Sequence, residues 1–91
     1  MSAIGTVELA LAREVAATLF EELGIQSYMY GVEPGTESLQ VIIECAFDGG
    51  WERIVLDTSM TELLVVRNDP EARRALLNAW RDRLGSCKTT T

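Results

Sequence analysis

Side chains that commonly perform catalysis are scarce in this 91-residue chain. It has no histidine, which removes the commonest general base and the commonest metal ligand. Cys45 is expected to point into the core and Cys87 to lie in a tail with no base to activate it, so we expect neither to act as a nucleophile. The glycines form no phosphate-binding motif, and Lys88 is the single lysine. We therefore predict that the protein is not an enzyme and has no catalytic residue, no cofactor and no bound metal.

The two cysteines differ in their expected surroundings. Cys45 lies in an apolar predicted strand, whereas Cys87 lies in a polar segment near the end of the sequence. Without a recognisable export signal, two such residues do not indicate a disulfide framework. We expect both to be reduced thiols.

The charges are distributed unevenly along the sequence. Residues 1–66 contain 11 acidic and two basic residues, whereas residues 67–91 contain six basic and three acidic residues. An acidic body repels phosphate backbones and attracts basic protein surfaces. This distribution predicts a protein partner with a basic surface and disfavours direct binding of nucleic acid.

Neither the apolar runs nor the first residues indicate a membrane-spanning helix or an export signal. No apolar run approaches the roughly 20 residues that a membrane-spanning helix needs. The first residues lack a basic leader before an apolar segment and include Glu8. We predict a cytoplasmic protein that does not bind membranes.

The elements that would position a binding surface are centred on the sequence from Leu39 to Asp57. From Leu39 to Phe47, residues alternate with the period of two that is typical of a strand with one buried face. Asp48-Gly49-Gly50 then supplies residues that tolerate the positive φ values of a tight turn. We predict that residues 51–57 fold back as a second, antiparallel strand.

Amphipathic helices are predicted on both sides of this hairpin. Over residues 7–23 an apolar residue recurs every four positions, with Thr6 as the expected N-cap and Gly24 as the expected C-terminal cap. Asp69 and Pro70 are favourable first residues for a last helix. Its expected buried residues, before Gly85 ends it, are Leu76, Leu77, Ala79, Trp80 and Leu84.

Two further segments have strand-like composition. Residues 25–32 are predicted as a strand and residues 33–36 as a turn. Residues 62–67 are predicted as a fourth strand, although the capping-box pattern from Ser59 to Glu62 makes a short helix the alternative. Together the elements predict an α+β fold, in which an antiparallel three- to four-stranded meander is flanked by an N-terminal and a C-terminal helix. We place a single domain at residues 1–85 and a flexible tail at residues 86–91.

One face of this sheet is predicted to be more apolar and aromatic than a solvated face requires. If the odd-numbered residues of the first hairpin strand face the helices, Ile42 and Ala46 face outward. We expect Tyr28, Tyr30 and Trp51 to join them as partner-binding residues, because tyrosine and tryptophan are frequent interface anchors. The expected acidic rim consists of Glu33, Glu37, Glu44, Asp48 and Glu52. Two alternatives remain open: each face is covered by a helix, or the acids serve only solubility.

Two helix boundaries and the meander between them resemble a known family. The first helix ends with Glu21-Glu22-Leu23-Gly24-Ile25, and the last opens with Asp69-Pro70-Glu71-Ala72 and continues through Leu77-Asn78-Ala79-Trp80-Arg81. This order is similar to that of the type III secretion chaperone-like domain. The resemblance implies a small acidic homodimer that holds an extended segment of a client protein. The chain is shorter than that family's domains and lacks their further strands, so no binding residue is carried over.

The sequence therefore favours a non-enzymatic, acidic protein-binding module that blocks or shields a site on a larger partner. An inhibitor such as a phage-encoded anti-CRISPR protein or a toxin-immunity protein works in this way. The alternative, implied by the resemblance, is a small secretion-chaperone-like homodimer. The charge distribution favours the inhibitor, and the order of elements favours the chaperone.

Overall fold

The described residues form three strands and three helices. A computed structural model of the chain describes residues 5–35, 38–47 and 49–87. In chain order the elements are α1 (Thr6–Leu23), β1 (Tyr28–Pro34), β2 (Leu39–Phe47), β3 (Gly50–Thr58), α2 (Met60–Val66) and α3 (Pro70–Arg83). The strands form an antiparallel meander in the order β1-β2-β3. The predicted α+β fold, with a meander between an N-terminal and a C-terminal helix, is confirmed.

The β2–β3 hairpin forms where the alternating pattern predicts it. Its strands meet at the turn, where Phe47 pairs with Gly50. Gly49 in the turn has a φ of 98°, which glycine adopts without the clash that a Cβ would cause. Asp48 lies outside the described residues. The residues of β2 that are completely buried are Leu39, Val41, Ile43 and Cys45.

The first strand begins later than the sequence predicts. β1 starts at Tyr28 instead of residue 25, because Ser27 takes a φ of 53° and interrupts the extended chain. At its other end Pro34 is still part of the strand. The Gly35 N–H then donates to the Ser38 carbonyl oxygen at 2.7 Å. Glu33 and Pro34 therefore belong to the strand and not to the predicted turn at residues 33–36, and Thr36 lies outside the described residues.

Helix α1 forms where the sequence predicts it, but its N-cap lies one residue earlier than predicted. Gly5, not Thr6, is the N-cap, and its N–H donates to Glu8 Oε1 at 3.2 Å. Glycine has no side chain to accept a bond in return, so only this half of a capping box is present. At the other end Gly24 takes the left-handed conformation with a φ of 72°, as predicted. The buried residues of α1 are Ala12, Val15, Ala16, Leu19 and Phe20.

The segment predicted as a fourth strand is the helix α2, so the alternative interpretation is confirmed. Ser59 is its N-cap, and Ser59 Oγ accepts from the Glu62 N–H at 3.0 Å. Leu63 and Val66 are buried, whereas Val65 between them is exposed. Buried residues three positions apart fit a helix and not a strand. The β-branched composition was therefore outweighed by the cap and by the packing of one helix face.

Helix α3 begins as predicted, with Asp69 as N-cap and Pro70 at the first helical position. Asp69 Oδ1 accepts from the Glu71 and Ala72 N–H groups at 3.0 and 3.2 Å. The helix ends at Arg83, two residues before Gly85. Of the residues predicted to be buried, Ala79 is exposed and the other four are buried.

Replacing the N-cap Asp69 with alanine is expected to lower the free energy of unfolding by about 1 kcal/mol. The substitution leaves two N–H groups of α3 without their carboxylate acceptor. Urea denaturation of both proteins measures the difference. Asp82→Ala, in the exposed last turn of the same helix, is the control and should cost less. Equal losses for the two variants would contradict a capping role for Asp69.

A single hydrophobic core lies between the helices and one face of the sheet. At its centre Phe20 of α1 has its ring centroid 5.3 Å from that of Tyr28, 5.6 Å from that of Tyr30 and 5.3 Å from that of Trp80. This aromatic cluster joins α1, β1 and α3. None of the helices in the described part of the chain is both long and apolar enough to cross a membrane.

The cysteines are joined in a disulfide, so the prediction of two reduced thiols is wrong. Cys45 of β2 and Cys87 after α3 are 42 residues apart, with their Cα atoms separated by 5.5 Å. The pairing arises because α3 returns along the sheet and brings its C-terminal end above β2. Ser86 and Cys87 are consequently held against the domain, and the flexible tail does not begin at residue 86. Residues 88–91 lie outside the described residues.

Candidate functional site

One face of the sheet is left open by the helices. Most residues of β2 and β3 that point towards the helices are buried, whereas Met29 and Trp51 on the opposite face are 61% and 58% exposed. The alternative in which a helix covers each face is therefore wrong. We call this uncovered side of β1, β2 and β3 the open face.

The strand register arranges the open face in rows that cross the sheet. Trp51 lies opposite Ala46, and the next row contains Met29, Glu44 and Arg53. Gly31, Ile42 and Val55 form the third row, and Glu33, Gln40 and Asp57 form the fourth. Directly opposite residues share one face of a sheet and lie about 5 Å apart. Apolar and charged rows therefore alternate across a surface four rows long.

Four of the predicted partner-binding residues lie together on the open face. These residues are Glu33, Ile42, Glu44 and Trp51. Their roles in binding remain predictions. Glu37 and Asp48, predicted for the same rim, lie outside the described residues.

The placement of Tyr28 and Tyr30 on this face is wrong. Tyr28 lies opposite Cys45 and Tyr30 opposite Ile43, so both tyrosines share the helix-covered face with these buried residues. The Tyr30 hydroxyl donates to the Arg13 carbonyl oxygen of α1 at 3.2 Å. Period-two alternation places both tyrosines on one side of β1, but it does not show which of the two sides faces the core.

Glu52 is likewise not part of an open-face rim. It lies opposite Cys45, on the helix-covered side, where Glu52 Oε2 accepts a hydrogen bond from Ser86 Oγ. Period-two alternation along β3 places Glu52 on the other side from Trp51. That signal was available in the sequence, once Trp51 is assigned to the open face.

Sequence reasoning missed Met29, Gly31 and Arg53 as members of this surface. A Cβ added to Gly31 would meet no atom within 4 Å, so the surface dips at this position. A shallow depression of about 260 Å³ lies there. It is lined by Met29, Tyr30, Gly31, Glu33, Ile42, Glu44 and Arg53. The depression is open to solvent, and carboxylates lie at two sides of it.

The charges of the open face are unbalanced. Its described residues include the acids Glu33, Glu44 and Asp57 and the single base Arg53. Within the described part of the chain the one salt bridge is elsewhere, between Arg73 of α3 and Glu22 of α1 at 2.7 Å. On the open face Gln40 Nε2 donates to Asp57 Oδ1 at 3.4 Å. Glu33 and Glu44 take no part in that salt bridge, so their carboxylates are available to a cationic partner.

No cluster suited to metal binding is found among the described residues. They contain no group of three or more histidine, cysteine, aspartate or glutamate side chains that could hold a metal ion. The Tyr28 hydroxyl has a pKa above its usual value because of burial, to which the charge of Glu21 and then Tyr30 add. Tyr28 therefore stays neutral at physiological pH, and it lies on the helix-covered face.

Comparison of the chain with protein-family models, with curated proteins and with solved structures found no match.

Proposed function

We propose that the open face binds a basic surface of a larger protein. In this proposal the chain is a non-enzymatic module that blocks or shields the site it covers on that partner. The observation that carries this proposal is the combination of exposed Trp51 and Met29 with the carboxylates of Glu33 and Glu44 on one uncovered sheet face. An inhibitor of the anti-CRISPR or toxin-immunity kind, acting in the cytoplasm, is the biological role that we propose.

Trp51 is the expected anchor of the interface. It is the largest exposed side chain of the face, and it lies next to the small Ala46, so its ring is accessible from above. An exposed tryptophan gains a large apolar contact area when a partner covers it, and residues of this type dominate measured hot spots. The carboxylates of the open face would steer a basic partner and fix its orientation.

A second apolar surface lies between α2 and α3 and supports binding less well. This groove has a volume of about 450 Å³ and is lined mainly by small side chains such as Ala72, Ala75 and Ala79, with Val65 at its side. It offers no aromatic anchor, and Glu62 is its single acidic residue. The open face combines an anchor with several carboxylates, and we therefore favour it.

The experiment that tests the proposal begins with affinity purification of partners from source-cell lysate on the tagged full chain, at low and at moderate salt. We expect one large assembly or toxin to be recovered, with the amount decreasing as salt rises, because carboxylates on the surface contribute to association. Recovery of a client with a disordered segment, together with a dimeric chain, would instead support the chaperone-like homodimer. Absence of any specific protein at both salts would contradict both functions.

Once the partner is purified, Trp51→Ala is expected to weaken binding at least about 30-fold, which corresponds to about 2 kcal/mol. Glu44→Lys is expected to slow association and to reduce its dependence on salt. The matched control is Glu14→Lys, which makes the same charge change on the exposed side of α1, away from the open face. Full affinity of the Trp51 variant, or equal effects of the two charge reversals, would show that the open face is not the interface.

A further inference from the structure

The C-terminal end of α3 is attached to the sheet by three side-chain links. Arg83 Nη2 donates to the Val55 carbonyl oxygen at 2.9 Å, and Ser86 Oγ donates to Glu52 Oε2. The third link is the covalent bond from Cys87 to Cys45. The first two links are exposed hydrogen bonds, which water can replace at little cost. The disulfide is thus the strongest connection between this end of α3 and the strands.

The disulfide is enclosed by the fold. Cys45 is completely buried in the central strand, and Cys87 is only 6% exposed. In the strand register Cys45 lies between Tyr28 of β1 and Glu52 of β3. A thiol reagent reaches such a bond only when the segment that carries Cys87 moves away from the sheet.

The contacts that hold α3 differ between its two ends. Trp80 stacks on Phe20 with their planes 28° apart, and Arg73 pairs with Glu22, so the first three turns are attached to α1. Beyond Trp80, Leu84 is buried, and the Cys87 N–H donates to the Leu84 carbonyl oxygen at 3.0 Å. This local turn places Cys87 over the sheet. Loss of the disulfide would leave the attachment to α1 intact and remove the one covalent bond between residues 84–87 and the sheet.

We propose that Cys45 and Cys87 form a redox latch, which in the oxidised state closes residues 84–87 onto the sheet and in the reduced state releases them. Closing forms one S–S bond and removes one proton and one electron from each thiol. The oxidant is a second disulfide, of the oxidised glutathione or dithiol-oxidase class, which is reduced to two thiols in the exchange. Opening is the reverse reaction, in which a thiolate attacks the bond and a reducing thiol pool supplies the electrons.

The proposed latch makes the state of residues 84–87 depend on the redox conditions of the compartment that contains the protein. Oxidising compartments preserve such bonds, whereas cytosolic thiol pools keep most cysteines reduced. In this proposal a reducing thiol pool favours the open state of the latch, and oxidative conditions favour the closed state. The open face lies on the other side of the sheet, so this inference is independent of the proposed binding function.

The state of the two thiols is measured first. The purified chain is denatured without reductant and treated with an alkylating reagent. Its mass is then measured by mass spectrometry, which gives the number of alkylated cysteines. We expect no alkylated cysteine before reduction and two afterwards. Two alkylated cysteines in protein that was treated with oxidised glutathione would overturn the proposal.

Thermal unfolding tests the effect on stability. Reductant is expected to lower the unfolding midpoint of the natural chain by at least about 10 °C, because the bond closes a long loop. The control is the double variant Cys45→Ser with Cys87→Ser, whose midpoint should be low and should not respond to reductant. Should this variant fail to fold, titration of the natural chain with reductant and its recovery with oxidised glutathione give the same answer. An unchanged midpoint of the natural chain in reductant would contradict the latch.

Limited proteolysis distinguishes local release from a general loss of stability. Trypsin cleavage after Arg83 is expected to accelerate at least about tenfold on reduction, because the side chain held to Val55 in the closed state becomes free. Cleavage after Arg67, between α2 and α3, is the internal control and should change much less. Equal acceleration at both sites would show that the bond stabilises the whole domain and does not act as a latch on its C-terminal segment.

Discussion

Replacing Phe20 with alanine is expected to lower the free energy of unfolding by about 3 to 5 kcal/mol. Phe20 is completely buried, and its ring contacts those of Tyr28, Tyr30 and Trp80. Alanine would remove the apolar contacts of the ring and leave a cavity where α1, β1 and α3 meet. Since a domain of this size is stable by roughly 5 to 15 kcal/mol, this loss would remove a large fraction of its stability.

Guanidinium denaturation followed by circular dichroism measures this loss. Phe20→Leu is the informative intermediate, because it keeps most of the volume but none of the aromatic contacts, and it should cost less than half as much. Val7→Ala, at a position of α1 that is 74% exposed, is the control and should change the free energy by less than about 0.5 kcal/mol. A cost below about 1 kcal/mol for Phe20→Ala would show that the aromatic cluster does not anchor the core.

The fold could be predicted from the sequence wherever local patterns determine structure. The β2–β3 hairpin follows from alternation and from a glycine turn, and α3 follows from Asp69 and Pro70 at its start. These signals act over a few residues, and tertiary packing does not reverse them. At Met60–Val66 two local signals disagreed, because β-branched residues favour a strand and the Ser59 cap favours a helix. The burial of Leu63 and Val66 against α1 and α3 decided between them, and sequence alone does not contain that information.

The candidate site was predicted in part, and the errors in that prediction have one physical origin. Alternation within β1 separates Tyr28 and Tyr30 from Met29, but the choice between the two faces depends on the register with β2. Tyrosine is amphipathic, so its presence is compatible with either face. In the structure both tyrosines pack on Phe20, and Met29 takes the exposed position on the open face. An interface anchor and a core aromatic residue are therefore not distinguishable by residue type alone.

The disulfide could not be predicted from local sequence patterns either, because its two cysteines are far apart in the sequence. Nothing near Cys45 or Cys87 in the sequence signals the other, because their proximity results from the path of β3, α2 and α3 between them. A polar composition after Gly85 was therefore interpreted as a free tail. Tertiary structure, and not local composition, determines that Cys87 is buried.

The two tryptophans provide the clearest test of which side of the sheet is core. Trp80 is only 3% exposed and stacks on Phe20 with ring centroids 5.3 Å apart, whereas Trp51 is 58% exposed on the open face. Trp80→Ala is expected to lower the free energy of unfolding by about 3 to 5 kcal/mol. Trp51→Ala should lower it by less than about 1 kcal/mol, because it removes little buried area and only some strand propensity.

Guanidinium denaturation of the oxidised proteins, followed by tryptophan fluorescence, compares these two variants directly, since each keeps one tryptophan as the probe. In native Trp51→Ala the remaining Trp80 should have blue-shifted fluorescence that iodide quenches weakly. In native Trp80→Ala the fluorescence of the remaining Trp51 should resemble that of a solvated indole. Similar losses of stability for the two variants would mean that Trp51 is also buried, for instance by a second copy of the chain. Size-exclusion chromatography at the same concentrations separates that outcome from a misplaced strand register. The expected contrast, a large loss for Trp80→Ala and a small one for Trp51→Ala, would leave Trp51 exposed and free to act as the anchor of the proposed interface.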